Sequence, residues 1–159
     1  TCGDMPFISS ATYRRVWAEA EEGGADAVIL TGILSCGGSF GRILRSSSGE
    51  IVGIREARDA SEGELAIREV NGGVYCFRIS LLIQALGALR PDNAQGELYL
   101  TDTISYLVGA GCRVVGVEVG NVYELFGINT PEQLRVAERI LAESSPSQRN
   151  FLALQALGR

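Results

Sequence analysis

The feature that most restricts the fold of this chain is the apolar run within residues 25–31, which read Ala-Asp-Ala-Val-Ile-Leu-Thr. A run of this length and character is typical of a strand buried on both faces, as in a parallel sheet. The preceding residues 10–22 place Val16, Trp17 and Ala20 at helical spacing, and Gly23 and Gly24 follow as a helix stop. A helix followed by a buried strand indicates an α/β domain.

The same alternation of strands and helices continues along most of the chain. Patterns predict a hairpin from strands 40–45 and 51–56, a capping box at 61–64, a strand ending at 77, a helix over 80–89, a helix over 103–110, a strand over 113–118, a short strand over 125–129 and a helix starting at Thr130. The prediction is therefore an α/β fold with a mostly parallel sheet and an inserted β-hairpin.

The end of the chain differs from the rest. Pro146 interrupts the helical pattern, and residues 148–157 form an apolar segment that we expect to have little to pack against. We therefore divide the chain into a domain over residues 1–143 and a helical tail over residues 144–159.

Composition limits the possible functions. The 159 residues suit one domain with a real core, and no apolar run approaches the roughly 20 residues of a membrane span, so we expect a soluble protein. A net charge of −5 argues against a nucleic-acid surface. An acidic protein can still bind a nucleotide where a metal ion and backbone N–H groups supply positive charge.

The types of side chain present narrow the chemistry further. The four cysteines have no CxxC spacing and there is no histidine, so a zinc site is not expected and the thiols suit a reducing cytoplasm. The lack of histidine also removes Ser-His and Cys-His nucleophiles. Any catalysis must use carboxylates, amides, a metal ion and the backbone.

A polar segment over residues 93–102, Asn-Ala-Gln-Gly-Glu-Leu-Tyr-Leu-Thr-Asp, interrupts the regular elements. Its amides and carboxylate precede an aromatic anchor and a Thr-Asp pair suited to cap a helix. We interpret it as a loop on the substrate side of a pocket. Residues 3–6 and 127–129 are interpreted as further rims of the same pocket.

Asp4 and Asn129 are the candidate metal ligands, each expected at the end of a strand. Together they could hold Mg²⁺ through oxygen, since Mg²⁺ accepts one or two protein ligands and leaves the rest to waters and phosphates. Such a site serves nucleotidyl or phosphoryl transfer. The alternative is that Asp4 only forms a turn and Asn129 only precedes a helix cap.

Three further residues have a functional and a structural interpretation. Glu56 could accept hydrogen bonds from sugar hydroxyls or be a solvated partner of neighbouring arginines. Asn71 could contact ligand or form an Asn-Gly turn with Gly72. Gly41 could offer its backbone N–H to a ligand or simply begin a strand.

Taken in chain order, several motifs resemble a known family. They are Gly3-Asp4-Met5-Pro6, Phe40-Gly41-Arg42-Ile43, Glu56 with Arg58-Asp59-Ala60, Ile67 to Asn71 with Gly73, residues 93–102, and Glu124-x-x-Gly127-Ile128-Asn129. Over residues 1 to about 143 they resemble the second half of the uridylyltransferase domain of bacterial bifunctional N-acetylglucosamine-1-phosphate uridylyltransferases, which are also glucosamine-1-phosphate acetyltransferases. Residues 93–102 are the most specific part of the resemblance.

The resemblance implies a Rossmann-like nucleotidyltransferase domain that joins UTP and N-acetylglucosamine 1-phosphate into UDP-N-acetylglucosamine, releasing pyrophosphate, with Mg²⁺. It would make Asp4 and Asn129 the metal ligands and the catalytic pair. Cys2 and Gly3 would line the nucleotide-sugar site, and Gly41, Glu56 and Asn71 would contact the N-acetylglucosamine. It also implies a cytoplasmic role in cell-wall precursor synthesis, with no nucleic-acid or membrane partner.

The chain departs from the family pattern in several respects. The first half of the domain, with its phosphate-binding loop, and the acetyltransferase β-helix are missing, and residues 144–159 resemble the start of the connecting arm. Cys2 stands where a tyrosine is expected and Gly72 where a threonine is expected. We therefore expect a domain incomplete at its N-terminus, which self-associates or binds a partner chain that supplies the missing half. The alternatives are a nucleotidyltransferase for another sugar 1-phosphate, or an inactive fragment or sugar-nucleotide-binding module.

Overall fold

A computed structural model describes residues 1–143 and 145–157. Five strands form one sheet: β1 (Ala27–Ile33), β2 (Arg42–Arg45), β3 (Ile51–Arg55), β4 (Glu69–Phe77) and β5 (Val114–Glu118), in the order β3-β2-β4-β1-β5. The helices are α1 (Ser10–Glu21), α2 (Glu62–Leu65), α3 (Ile79–Ala88), α4 (Asp102–Gly109), α5 (Pro131–Ala142) and α6 (Pro146–Leu157), with a 3₁₀ turn at Val122–Leu125.

The prediction of a mostly parallel sheet is wrong for the described residues. Only β1 and β5 pair in parallel, while β1–β4, β2–β3 and β2–β4 are antiparallel. Strand β1 lies between β4 and β5 and is buried on both faces. That burial alone produces its apolar run, whatever the direction of its neighbours. The β2–β3 hairpin is confirmed, and its short turn requires antiparallel pairing.

The sheet separates two cores that share β1. Val28 and Leu30 face one core together with Val16 of α1, and Ala27 and Ile29 face the other. The second core is completed by α4 through Ile104 and Leu107 and by β2 and β3 through Ile43, Ile51 and Ile54. Alternate residues of one strand thus hold helices on both faces, because successive side chains point to opposite sides.

Local capping signals predicted several helix starts. Ser9 caps α1 by accepting the Thr12 N–H at 3.1 Å, and both predicted capping boxes, Ser61 with Glu64 and Thr130 with Gln133, are present. Two expectations are wrong. Thr101 makes no capping bond to α4, and the short strand predicted over 125–129 is instead the end of the 3₁₀ turn followed by irregular backbone.

The expectation that the C-terminal segment has little to pack against is also wrong. Helix α6 buries Ala153 completely against a cluster formed by Phe126, Ala137 and Ile140. Asn150 Oδ1 accepts the Tyr123 N–H at 3.3 Å, so the helix is tied to the 3₁₀ turn. Pro146 lies in the first turn of α6, where proline is tolerated. The boundary at 143/144 remains a prediction, since residues 144, 158 and 159 lie outside the described residues.

Strand β4 has one side that is largely unpaired in the described part of the chain. It pairs with β1 from Glu69 to Phe77, but on its other side β2 pairs with it only through Val70. Next to this edge the backbone N–H of Cys2 donates to the Gly73 carbonyl at 3.3 Å. Among the helices of the described residues, none has both the length and the apolarity required to cross a membrane.

Candidate functional site

The structure brings the two predicted metal ligands together. The Ile128 N–H donates to the carbonyl of Asp4 at 2.8 Å, which joins the first segment of the chain to the one before α5. Asp4 Oδ2 and Asn129 Nδ2 each lie 3.7 Å from the position that a Cβ on Gly127 would occupy. Both side chains are exposed. Gly127 therefore leaves open the space on which the carboxylate and the amide converge.

A buried carboxylate, Glu124, holds these two segments in place. Its Oε2 accepts the Ser9 N–H at 2.9 Å and the Thr12 hydroxyl at 2.6 Å, although only 2% of the residue is exposed. Glu124 thus connects the start of α1, which follows Asp4, to the turn that precedes Asn129. Sequence reasoning included Glu124 in a motif but assigned it no role.

A cavity of about 410 Å³ opens beside Asp4 and Asn129. Its other lining residues are Met5, Gly38, Ser39, Phe40, Leu125, Gly127, Gln133, Ala156 and Leu157. Gln133 Oε1 accepts the N–H groups of Asn129 and Thr130 at 2.7 and 3.0 Å, which fixes the backbone that carries Asn129. The contribution of α6 to the wall was missed, because the sequence offered no partner for that helix.

The three predicted sugar-contacting residues form a second cluster. The Asn71 N–H donates to the Gly41 carbonyl at 2.8 Å, and a Cβ on Gly41 would lie 3.5 Å from Glu56 Oε2. That Cβ would also lie 2.9 Å from Ile54 Cγ2, so a side chain at position 41 would be overpacked. Gly41, Glu56 and Asn71 are therefore neighbours, and their contact with a sugar stays a prediction.

The side chain of Asn71 has partners within the protein. Its Nδ2 donates to the Tyr75 hydroxyl at 2.6 Å, and its Oδ1 accepts the Gly73 N–H at 3.1 Å. Burial raises the pKa of Tyr75 well above its usual range, although the bond from Asn71 lowers it, so the phenol stays protonated at neutral pH. Asn71 is thus held in one orientation within β4.

The N-terminal segment joins the two clusters. Gly73 has φ +68°, and a Cβ there would lie 3.1 Å from Met5 Sδ and 3.6 Å from Cys2 Sγ. Only glycine suits both this backbone conformation and the close approach. Cys2 is exposed beside Gly73, and Gly3 is exposed with open space around it. The segment that carries Asp4 therefore contacts β4 two residues beyond Asn71, while Gly41 itself is buried.

Comparison with known proteins shows what the chain is related to. Bifunctional protein GlmU of Heliobacterium modesticaldum is 40% identical over 142 residues, covering 89% of this chain and 31% of that protein. The Brevibacillus brevis GlmU is 43% identical over 136 residues, covering 86% and 30% respectively. The chain is related to a segment of the bifunctional GlmU proteins. It spans about 30% of the length of these curated relatives, and the resemblance inferred from the motifs is confirmed.

The structural comparison confirms the fold class. A solved structure from Bacillus anthracis that carries the name glucose-1-phosphate thymidylyltransferase matches with a TM-score of 0.57 and 21% identity, over 92% of this chain and 51% of that one. The mixed α/β, Rossmann-like fold is thus shown. No protein-family profile matches the chain.

The structure explains one departure from the GlmU pattern. A Cβ on Gly72 would lie 2.9 Å from the Leu30 carbonyl oxygen and 3.1 Å from Leu125 Cδ2. The backbone of β1 cannot move aside as a flexible side chain could, so the expected threonine does not fit this packing. Gly72 is buried, which makes it a packing residue in this chain.

The loop over residues 93–102 is held mainly by its own polar groups. Asn93 Oδ1 accepts the N–H groups of Gln95 and Glu97 at 3.1 and 3.2 Å, and Ala94 N–H donates to Asp59 Oδ1 at 2.7 Å. The loop reaches the second cluster through Thr101, whose hydroxyl donates to Glu56 Oε1 at 2.8 Å. The loop therefore helps to orient Glu56.

Acidic side chains surround a narrow cleft of about 70 Å³ between this loop and β3, and they include Glu56, Asp59, Asp92 and Asp102. Burial raises the pKa of Asp102, Asp59 adds to that increase, and Arg55 opposes it. No group of three or more histidine, cysteine or acidic side chains suited to a metal ion occurs in residues 1–143 and 145–157. Asp4 and Asn129 fit a different kind of Mg²⁺ site, in which two protein ligands leave the remaining positions to waters and phosphates.

Proposed function

We propose that this chain is the C-terminal portion of a uridylyltransferase domain. The reaction joins UTP and N-acetylglucosamine 1-phosphate into UDP-N-acetylglucosamine and pyrophosphate, and it uses Mg²⁺. The observation that carries the proposal is the convergence of Asp4 and Asn129 on one cavity in a chain about 40% identical to GlmU proteins. The protein would act in the cytoplasm, in the synthesis of cell-wall precursors.

Each site residue has a role in this proposal. Asp4 and Asn129 hold the metal ion, which when bound neutralises charge on the phosphates. Cys2 and Gly3 line the nucleotide-sugar site beside Asp4. Gly41 offers its backbone, and Glu56 accepts hydrogen bonds from sugar hydroxyls, with Thr101 holding the other carboxylate oxygen. Asn71, whose amide is held by Tyr75 and Gly73 within β4, contacts the sugar.

The proposed reaction needs no covalent enzyme intermediate. An oxygen of the sugar phosphate attacks the α-phosphorus of UTP, and the bond to pyrophosphate breaks. The residues of this chain bind and orient the sugar phosphate for that attack, and positioning is a large part of such catalysis. This accords with a sequence that contains no histidine to activate a nucleophile.

A second chain is part of the proposal. The side of β4 that pairs with β2 only at Val70 is a strand edge able to accept another strand. We propose that self-association or a partner chain covers this edge. There are two alternatives to this function. One is a sugar-nucleotide-binding module without activity, and the other is a nucleotidyltransferase for another sugar 1-phosphate. The name of the Bacillus anthracis neighbour favours the latter.

The test is a calorimetric titration with UDP-N-acetylglucosamine, with and without Mg²⁺, followed by a pyrophosphate-release assay on the same sample. We expect Mg²⁺-dependent binding that Asp4→Asn abolishes. Glu138→Gln is the control, since Glu138 is exposed on α5 and away from the cavity lining. Binding with turnover supports the enzyme, binding without turnover supports the module, and unchanged Mg²⁺-dependent binding in Asp4→Asn refutes the metal assignment.

A further inference from the structure

Arg42, the first residue of β2, is a buried cation whose partners are backbone carbonyls. Only 2% of the residue is exposed, and it takes part in none of the ion pairs found among the described residues. Its guanidinium donates to the carbonyl oxygens of Gly37 at 3.2 Å and Gly38 at 3.1 Å, and also to that of Phe40. Its Nε is buried and has no hydrogen-bond partner among residues 1–143 and 145–157. Burying a cation is unfavourable unless such hydrogen bonds compensate.

These acceptors all belong to the loop of residues 37–40, which we term the Arg42 loop. Gly38, Ser39 and Phe40 line the 410 Å³ cavity that Asp4 and Asn129 share. Gly38 adopts φ +49°, and a Cβ there would lie 3.8 Å from the Leu157 carbonyl. The loop therefore stands between the buried guanidinium on one side and the cavity and the end of α6 on the other.

Gly37 shows how closely the guanidinium supports the loop. A Cβ on Gly37 would lie 2.4 Å from Arg42 Cζ, so the planar group packs directly against the glycine backbone. The Arg42 fork thus contacts carbonyls on both sides of Ser39. A lysine ammonium presents a single point charge and cannot reach several divergent carbonyls with one planar group.

We propose that Arg42 is a positioning residue that sets the conformation of the Arg42 loop and so shapes this wall of the cavity. The consequence for ligand binding rests on the proposed function, because the ligand expected in the cavity is a nucleotide sugar. Arg42 acts through Gly38, Ser39 and Phe40. It also lies between Gly41 and Ile43, so it is joined along the chain to Gly41 of the second cluster.

The test compares Arg42→Lys with Arg45→Lys, a control at the other end of the same strand where Arg45 pairs with Glu69. Hydrogen exchange of the Phe40 amide, which donates to the Gly37 carbonyl at 3.0 Å, is followed alongside thermal unfolding and titration with UDP-N-acetylglucosamine and Mg²⁺. Loss of one to two of the Arg42 hydrogen bonds should speed exchange of this amide by about tenfold or more, beyond any global change, and weaken binding. Arg45→Lys should do neither.

A second variant approaches the same contact from the loop. Gly37→Ala places a methyl group where the guanidinium lies, so it should speed exchange of the Phe40 amide even if Arg42→Lys folds poorly. Unchanged exchange of the Phe40 amide in both variants would overturn the proposal, as would faster exchange with unchanged affinity. If the unmodified chain binds no UDP-N-acetylglucosamine, the proposed function fails, while the exchange measurement still decides whether Arg42 positions the loop.

Discussion

Removal of the Glu124 carboxylate should destabilise the fold and separate the two proposed metal ligands. In Glu124→Ala, the Ser9 N–H and the Thr12 hydroxyl lose their acceptor in a site that is 2% exposed. The Thr12 hydroxyl is buried and the Ser9 N–H is half-buried. A penalty of about 1–3 kcal/mol for the unsatisfied hydroxyl and a smaller one for the N–H predict a loss of about 2–4 kcal/mol in the free energy of unfolding. In Glu124→Gln an oxygen can still accept both bonds without the charge, which predicts a smaller loss of about 1–2 kcal/mol.

Urea denaturation measures the loss in stability, with Glu138→Gln as the exposed control. The functional part is measured as the Mg²⁺ concentration needed for UDP-N-acetylglucosamine binding, at a temperature where both proteins are folded. We expect Glu124→Gln to need more Mg²⁺, because the segments that carry Asp4 and Asn129 are less firmly joined. The reasoning is refuted if Glu124→Ala unfolds with the free energy of the unmodified chain within about 0.5 kcal/mol.

Three further predictions concern packing, α6 and pH. Gly41→Ala places a Cβ 2.9 Å from Ile54 Cγ2. Calorimetry should therefore show weaker sugar-nucleotide binding, and urea denaturation should show a loss of about 1–3 kcal/mol in the free energy of unfolding. Gly63→Ala, where the space around the Cβ is open, should show neither effect. Ala153→Asp buries an unpaired charge and should lower the free energy of unfolding by about 3 kcal/mol, whereas Gln155→Asp on an exposed position of the same helix should not. Hydrogen bonds from the backbone N–H and hydroxyl of Ser61, together with Arg55, lower the pKa of Glu64. The Glu64 carboxylate should therefore stabilise the fold relative to Glu64→Gln above the usual glutamate pKa of about 4.3. Unfolding experiments should show that this stabilisation disappears as the pH falls through the lowered pKa.

The parts of the fold that are determined by residues close together in the sequence could be predicted from it. The capping boxes at Ser61 and Thr130, the start of α1 and the β2–β3 hairpin follow from short patterns whose physics is local. The direction of the strands beside β1 could not be predicted in this way, because burial on both faces gives the same apolar run with parallel or antiparallel neighbours. The packing of α6 also depends on residues distant in sequence, such as Phe126 and Ala137.

The candidate site was predicted mainly through the family resemblance. Asp4 and Asn129 are 125 positions apart, and no spacing rule brings them together; the Ile128–Asp4 hydrogen bond does so only in the folded chain. Glu124 and Arg42 were missed because charged residues are ordinarily solvated, and nothing in a single sequence marks the few that are buried and hydrogen-bonded. Their bonds are to backbone groups and hydroxyls, which carry no pattern of their own.

The central claim is that Asp4 and Asn129 hold one metal ion beside a nucleotide sugar. The most direct measurement is NMR of the labelled chain with UDP-N-acetylglucosamine and trace Mn²⁺, a paramagnetic ion that suits the same oxygen ligands as Mg²⁺. We expect the amide signals of Asp4 and of residues 127–129 to broaden first, and Asp4→Asn to remove this effect. Broadening centred instead on Asp59, Asp92 and Asp102, with the signals of Asp4 and Asn129 unaffected, would contradict it.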